Sequence, residues 1–243
     1  MIPIELKKDK DGLLYYSEDD ILRRTPLMID KRDNLDNRYY QHSFYSIPST
    51  DEYIIKYCIT CYTRKEIRKI KYMLDFLIKN QNNIPSVDFP IGYFVQRKKL
   101  AGLIIKYYKN GISCDNIFNL CDIENIGKYY YHDEDSIHNL FNLYNELLEI
   151  IWQMFENNVY YTDINPGNVI IDNNKIKMID FDYRYVLFDK KDESLKIVLS
   201  GYYYFLKNTL TKLNLYNNQN IVYDNFEKTK KYLKTLENQI RKR

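Results

Sequence analysis

Between Tyr160 and Asp182 the chain reads Y-Y-T-D-I-N-P-G-N-V-I-I-D-N-N-K-I-K-M-I-D-F-D, and no other stretch limits the possible folds as much. Two apolar, β-prone runs, Val169 to Ile171 and Ile176 to Ile179, flank the turn formers Asp172, Asn173 and Asn174, which predicts a hairpin. Asp163 and Asn168 bracket the turn before its first strand, and Asp180 closes its second. An acid, an amide and a second acid joined through so short a hairpin can converge on one divalent ion and one hydroxyl. Phosphoryl transfer needs that geometry, because its catalysis is mostly metal-assisted positioning and charge neutralisation. The simpler account is that Asp163, Asn165, Pro166, Gly167 and Asn168 only make a good turn. Against it stands the apolar context, since acids at the ends of buried strands are costly unless they bind something.

The same stretch resembles the catalytic loop and metal-binding segment of the protein-kinase-like superfamily, H-R-D-x-x-x-x-N followed by D-F-G. Tyr161-Thr162-Asp163 with Asn168 stands for the first motif and Asp180-Phe181-Asp182 for the second. The resemblance implies that Asp163 is the catalytic base accepting the hydroxyl proton and that Asn168 and Asp180 hold magnesium. Protein Ser/Thr kinases usually place a Lys two residues after the catalytic Asp, where this chain has Asn165. D-I-N-P-G-N is closer to the D-L-H-P-G-N style of atypical and small-molecule kinases such as the aminoglycoside and choline types. Those enzymes need substantial helical additions for their substrate pockets, and this chain leaves room for only a modest insertion before Asp163. A compact atypical protein Ser/Thr kinase is therefore the first expectation, and a small-molecule kinase the alternative.

Composition narrows the class further. A chain of 243 residues can bury a sizeable core, and 45% hydrophobic with 28% charged residues is ordinary for a globular protein. A net charge of +3 is too small to argue for nucleic acid or membrane binding. Met1-Ile2-Pro3-Ile4 followed by Lys7 and Lys8 has no apolar signal core, and no run approaches membrane-spanning length, so an intracellular, cytoplasmic address is expected. Cys58 and Cys61 form a C-x-x-C without a second pair of matching spacing, and with Cys114 and Cys121 they are expected to be free thiols.

Taken in order, residues 1 to 25 are polar, with a turn at Asp11-Gly12. Leu27 to Ile29, a turn at Asp33 to Asn37, and Tyr39 to Ile47 then suggest a hairpin. In the resembling family a glycine-rich loop covers the phosphates here. No Gly occurs between Gly12 and Gly92, so any backbone cradle falls to the Asp33 to Asn37 turn. Tyr53-Ile54-Ile55-Lys56-Tyr57 is a short strand whose Lys56 stands where the family's V-A-I-K has its lysine, although a lone Lys on an exposed strand face is also common. Thr63 with Glu66 makes a capping-box pattern, and Ile67, Ile70, Leu74 and Leu77 continue at helical spacing. By resemblance Glu66 orients Lys56 against the α and β phosphates; its competing role is the cap itself, with Asp75 as a fallback partner.

Ile91 to Val95 and Leu100 to Tyr108 predict two more strands, ending at the Lys109-Asn110-Gly111 turn. That turn resembles the hinge between lobes. By position, Ile105 would back an adenine pocket, the backbones of Lys106 and Tyr108 would bond the adenine, and Ile170 joins the cofactor-binding residues. The stripe from Ile137 to Phe155 predicts a long amphipathic helix, Ser194 to Leu213 a second, and Phe226 to Arg243 a basic terminal helix.

The expected fold is α+β and two-lobed, protein-kinase-like, as one domain. A small antiparallel sheet with one helix occupies about residues 27–105, a hinge 106–110, and a reduced, mainly helical lobe 111–243. The expected activity is transfer of the ATP γ-phosphoryl group to a protein or small-molecule hydroxyl with Mg2+; a pseudokinase scaffold on the same fold is the non-enzymatic alternative. Asp182 replaces the family's Gly and is expected to hydrogen-bond locally. Thr162 replaces the Arg that reads a phosphorylated activation loop, so activity is expected not to depend on such phosphorylation.

Overall fold

The computed structural model describes residues 7–10, 13–17, 42–47, 50–58, 62–96, 99–187, 191–215 and 225–242. Contacts divide the chain into two compact units, residues 1–81 with 88–109 and residues 82–87 with 110–243. The fold class is the expected α+β.

The first unit is built on a six-stranded sheet. Its strands are β1 (Lys7–Lys8), β2 (Leu14–Ser17), β3 (His42–Ile47), β4 (Thr50–Cys58), β5 (Gly92–Gln96) and β6 (Lys99–Lys106), in the order β1-β2-β5-β6-β4-β3. Neighbours are antiparallel except β2 and β5, which run parallel. The all-antiparallel expectation is corrected here, because the N-terminal segment adds a hairpin to the far edge. Lys7–Lys8 and Leu14–Ser17 of the polar opening stretch thus belong to the sheet. Asp9 ties them down, accepting hydrogen bonds from the Leu13 amide, the Lys71 ammonium and the Tyr93 hydroxyl at 3.0, 2.6 and 2.7 Å. Gly92 permits the pairing, since a Cβ there would lie 2.3 Å from the Leu14 carbonyl oxygen.

His42–Ile47 pairs forward with β4. The Leu27 to Ile29 run, the Asp33 to Asn37 turn and Cys61 lie outside the described residues. Helix α1 (Arg64–Asn80) starts at the predicted capping box, and Ile70, Met73, Leu74 and Leu77 form its buried stripe.

In the second unit, α4 (Ser136–Glu156) is the central helix; of the expected stripe it buries Leu140 through Phe155, with Leu143, Ile150 and Met154 added, while Ile137 and Trp152 are half-buried. Helix α5 (Lys191–Lys212) crosses it through a buried polar pair. The Tyr144 and Thr209 hydroxyls are 2.8 Å apart, and the Tyr202 hydroxyl donates to the Tyr144 carbonyl at 2.8 Å. Helix α6 (Phe226–Arg241) lays Phe226, Leu233, Leu236 and Ile240 inward, stacks Phe226 on Trp152 at 4.6 Å, and turns its basic residues outward. Shorter elements frame the loop of interest. They are β7 (Ile112–Ser113), α2 (Cys114–Asn119), α3 (Ile126–Tyr129), β8 (Tyr160–Tyr161), β9 (Val169–Asp172), β10 (Lys175–Met178) and β11 (Val186–Leu187). Among the described residues no helix is long and apolar enough to cross a membrane. Cys114 is a buried free thiol and Cys121 an exposed one.

Candidate active site

The predicted hairpin forms. β9 and β10 pair antiparallel, and Asn173 and Asn174 turn between them with φ of 49° and 62°, left-handed values that Asn tolerates. Asn174 also pins the turn, exchanging hydrogen bonds with the backbone of Tyr131 at 2.6 and 2.7 Å. Before β9, Asn165 caps a 3₁₀ turn over Pro166–Asn168, its side-chain oxygen accepting from the Gly167 amide at 3.0 Å. The turn is therefore real, and it also does more than turn the chain.

Two neutral amides hold the Asp163 carboxylate. Asn165 Nδ2 donates to Oδ1 at 3.0 Å and Asn168 Nδ2 to Oδ2 at 3.0 Å. Among the described residues no Lys or Arg is paired with it. The half-buried carboxylate is thus oriented without being neutralised, the condition a proton acceptor requires. Asn168 is buried, at 8% exposure. Its Nδ2 also reaches the Asp163 carbonyl at 3.0 Å and the Tyr161 hydroxyl at 2.9 Å, so three acceptors fix which way the amide faces. Asn168 Oδ1 accepts nothing from any described residue, an unsatisfied buried oxygen.

Asp180 follows in direct succession, because the Ile179 amide donates to the Asn168 carbonyl at 3.0 Å. Its φ of 68° lies in the left-handed region, an uncommon backbone for a residue with a Cβ and a recurrent mark of functional sites. Tyr161, which sequence reasoning passed over, joins the two halves. Its hydroxyl accepts from Asn168 and donates to the Asp180 carbonyl at 3.2 Å, while its ring packs on Phe181 at 4.4 Å between centroids. Burial and the charges of Asp180 and Asp163 push the Tyr161 phenol well above its ordinary range, so it stays protonated as a donor. The signal was present, as Tyr161 is the first residue of Y-T-D; what hid it was a chain containing 26 Tyr.

Asp182, 3% exposed, bonds locally as expected. It accepts from the Arg184 amide, Nε and Nη2 at 3.0, 3.1 and 2.9 Å, and this carboxylate raises the Arg184 guanidinium's proton affinity. The Thr162 amide and hydroxyl both donate to the Tyr185 carbonyl, at 2.9 and 3.2 Å, which ties the chain after Asp182 back onto the loop.

Amide and carboxylate oxygens are the ligands that hard divalent cations take. Among the described residues there is no cluster of three or more His, Cys, Asp or Glu. What the loop offers instead is Asn168 Oδ1, which accepts from no described residue, with the Asn168 carbonyl bonded to the amide of Ile179, the residue before Asp180.

The remaining predicted residues lie elsewhere. Ile170 is half-buried in mid-strand, paired with Lys177 and Ser113. Lys56 is 5% exposed, so it is no ordinary lysine on an open sheet face. The Glu66 carboxylate closes the helix cap, accepting from the Thr63 amide and hydroxyl, both at 2.7 Å. Asp75 pairs with Lys79 at 2.6 Å. Lys106 and the Tyr108 hydroxyl both engage Asp88 through their side chains. The Tyr108 backbone makes no hydrogen bond with any described residue.

No family model matches the sequence, and no curated protein is significantly similar to it. Among solved structures the chain is similar to the crystal structure of a Stt7 homolog from Micromonas algae soaked with ATP, at 14% identity and a TM-score of 0.45. That match covers 57% of this chain and 44% of the other, so the chain spans under half the length of that structure.

Proposed function

We propose that the protein is an ATP-dependent phosphotransferase that moves the γ-phosphoryl group directly to a hydroxyl. The observation that supports this best is the Asp163 carboxylate, steered by two uncharged amides beside a buried amide oxygen that no described residue satisfies.

In this reading the acceptor hydroxyl lies against Asp163. Its oxygen bonds to the γ-phosphorus, the bond from that phosphorus to the β,γ-bridging oxygen breaks, ADP leaves with the electron pair, and Asp163 takes the hydroxyl proton. Asn168 through Oδ1 and Asp180 through its carboxylate would hold Mg2+, which supplies neutralisation of phosphate charge. Tyr161 keeps both in register. Lys56, steadied by Glu66, is assigned to the α and β phosphates, and the backbones of Lys106 and Tyr108, with Ile170, to the adenine. Activity without prior phosphorylation fits Thr162 and the short tied segment after Asp182. A cytoplasmic address is part of the same proposal.

The decisive experiment is incubation with magnesium and γ-labelled ATP, wild type against Asp163→Ala. Loss of transfer by about 10²- to 10⁴-fold with nucleotide binding retained is the expected result. Equal transfer in the variant removes the base role. A nucleotide-binding scaffold is the competing reading, favoured by the lack of any Gly between Gly12 and Gly92. It predicts nucleotide-dependent thermal stabilisation with no transfer in either protein.

A further inference from the structure

In the first unit one carboxylate joins three elements. Asp9 sits at the turn between β1 and β2, where its amide donates to the Leu13 carbonyl at 2.9 Å and its Oδ1 accepts from the Leu13 amide at 3.0 Å. Its Oδ2 accepts from the Lys71 ammonium of α1 at 2.6 Å and from the Tyr93 hydroxyl of β5 at 2.7 Å. The Lys71 ammonium also lies 4.7 Å from the centre of the Tyr93 ring, and Tyr15 of β2 stacks with that ring at 5.8 Å between centroids.

The Asp9 side chain is only 10% exposed and the Lys71 side chain 29%, so each charge is held largely away from water and is matched by the other. Such a network supplies direction. The stripe of Ile70, Met73, Leu74 and Leu77 that seats α1 is apolar, and the hydrophobic effect that buries it is non-directional. A charge-assisted bond to a carboxylate that its own turn holds in place fixes Lys71 at one point. Because α1 is one continuous helix, fixing Lys71 also places Glu66, five residues and about 7.5 Å earlier along the axis.

We propose that Asp9 is a positioning residue: through Lys71 the N-terminal hairpin clamps α1 to the β2–β5 side of the sheet, and this clamp sets the affinity for ATP. The inference rests on the phosphotransferase reading, in which Lys56 and Glu66 are assigned to the α and β phosphates. Asp9 and Lys71 belong to none of the motifs that led to that reading. The clamp comes with the hairpin that this chain adds at the edge of its sheet.

The test is calorimetric titration of the full chain with ATP and magnesium, alongside thermal midpoints, for wild type, Lys71→Met and the double variant Asp9→Asn with Lys71→Met. Lys71→Met keeps the aliphatic stem but strips the ammonium from a buried carboxylate, so the midpoint falls and the Kd for ATP rises about tenfold. The double variant removes both charges and recovers the midpoint but not the affinity, because an amide facing a thioether gives α1 no directional bond. Hydrogen exchange in Lys71→Met shows Ile70 to Leu77 less protected, with Leu140 to Ile151 of α4 unchanged. A wild-type Kd in Lys71→Met overturns the clamp, whatever its midpoint. So does a Kd that returns together with the midpoint in the double variant, since the loss is then one of stability, and so does a raised Kd with α1 protection unchanged. In all three cases wild type binds ATP. A wild type that binds none overturns the phosphotransferase reading and the clamp with it, which keeps the two failures distinct.

Discussion

The loop around Asp163 and the sheet around Lys56 hold charged side chains in two different ways. In the loop, the hydrogen bonds that orient the Asp163 and Asn168 side chains come from residues two to seven positions apart, and the Tyr161 hydroxyl reaches the Asp180 carbonyl across 19 positions. In the sheet, Lys56 is buried by pairing β4 with β3 on one side and β6 on the other. A locally bonded loop keeps its geometry when distant parts of the chain are perturbed. A buried lysine in a sheet depends on the whole sheet closing. Substitutions in the loop should therefore change chemistry more than stability, and substitutions in the sheet the reverse.

The largest effect expected from this contrast is at Asp180. Asp180→Ala should lower transfer by about 10³-fold and abolish the magnesium dependence of nucleotide binding, because losing the carboxylate that would hold the charge-neutralising Mg2+ costs several kcal/mol. Titration of nucleotide with and without magnesium checks it, and unchanged magnesium dependence would remove Asp180 from the metal set.

Gly102→Ala probes the sheet. A Cβ there would sit 2.5 Å from the Lys56 carbonyl oxygen, so β4 and β6 must separate. The expected cost is about 1–3 kcal/mol, read as a lower urea midpoint. A midpoint equal to wild type would mean the sheet yields as easily as a loop, and the contrast would fail.

Tyr161→Phe sharpens it from the other side. Removing the hydroxyl leaves the Asp180 carbonyl without this donor and takes one of three acceptors from Asn168 Nδ2. We expect about 1–2 kcal/mol of lost stability together with a clear drop in kcat. Loss of stability alone would reduce Tyr161 to a packing residue.

The smallest effect separates two roles of Glu66. Thr63→Ala removes the cap that Glu66 shares, for about 1 kcal/mol of stability with kcat held. Glu66→Ala removes the same cap and any support of Lys56. If both variants lose equal stability and neither loses rate, Glu66 is a cap and no more.

The site was legible in the sequence to the extent that its bonds are local. D-I-N-P-G-N and I-D-F-D placed the turn, the hairpin and the order of the acids, and Thr63 with Glu66 placed the start of α1. Asp182 also behaved as its neighbours suggested, since Arg184 is two residues away. The N-terminal segment was not legible in the same way. Nothing in Lys7–Lys8 or Leu14–Ser17 announces a parallel pairing with Gly92–Gln96, because strand partners are chosen by burial over long separations.

The same division holds for helix α5. Helical spacing alone puts Gly201, Tyr204, Asn208 and Lys212 on one face of α5. Only packing decided that this face meets Thr162 and Asp115. Local hydrogen bonding and turn chemistry depend on residues a few positions apart, and a sequence displays them. The meeting of α5, α2 and the Asp163 loop depends on which apolar faces close over α4, a choice made by the whole core at once.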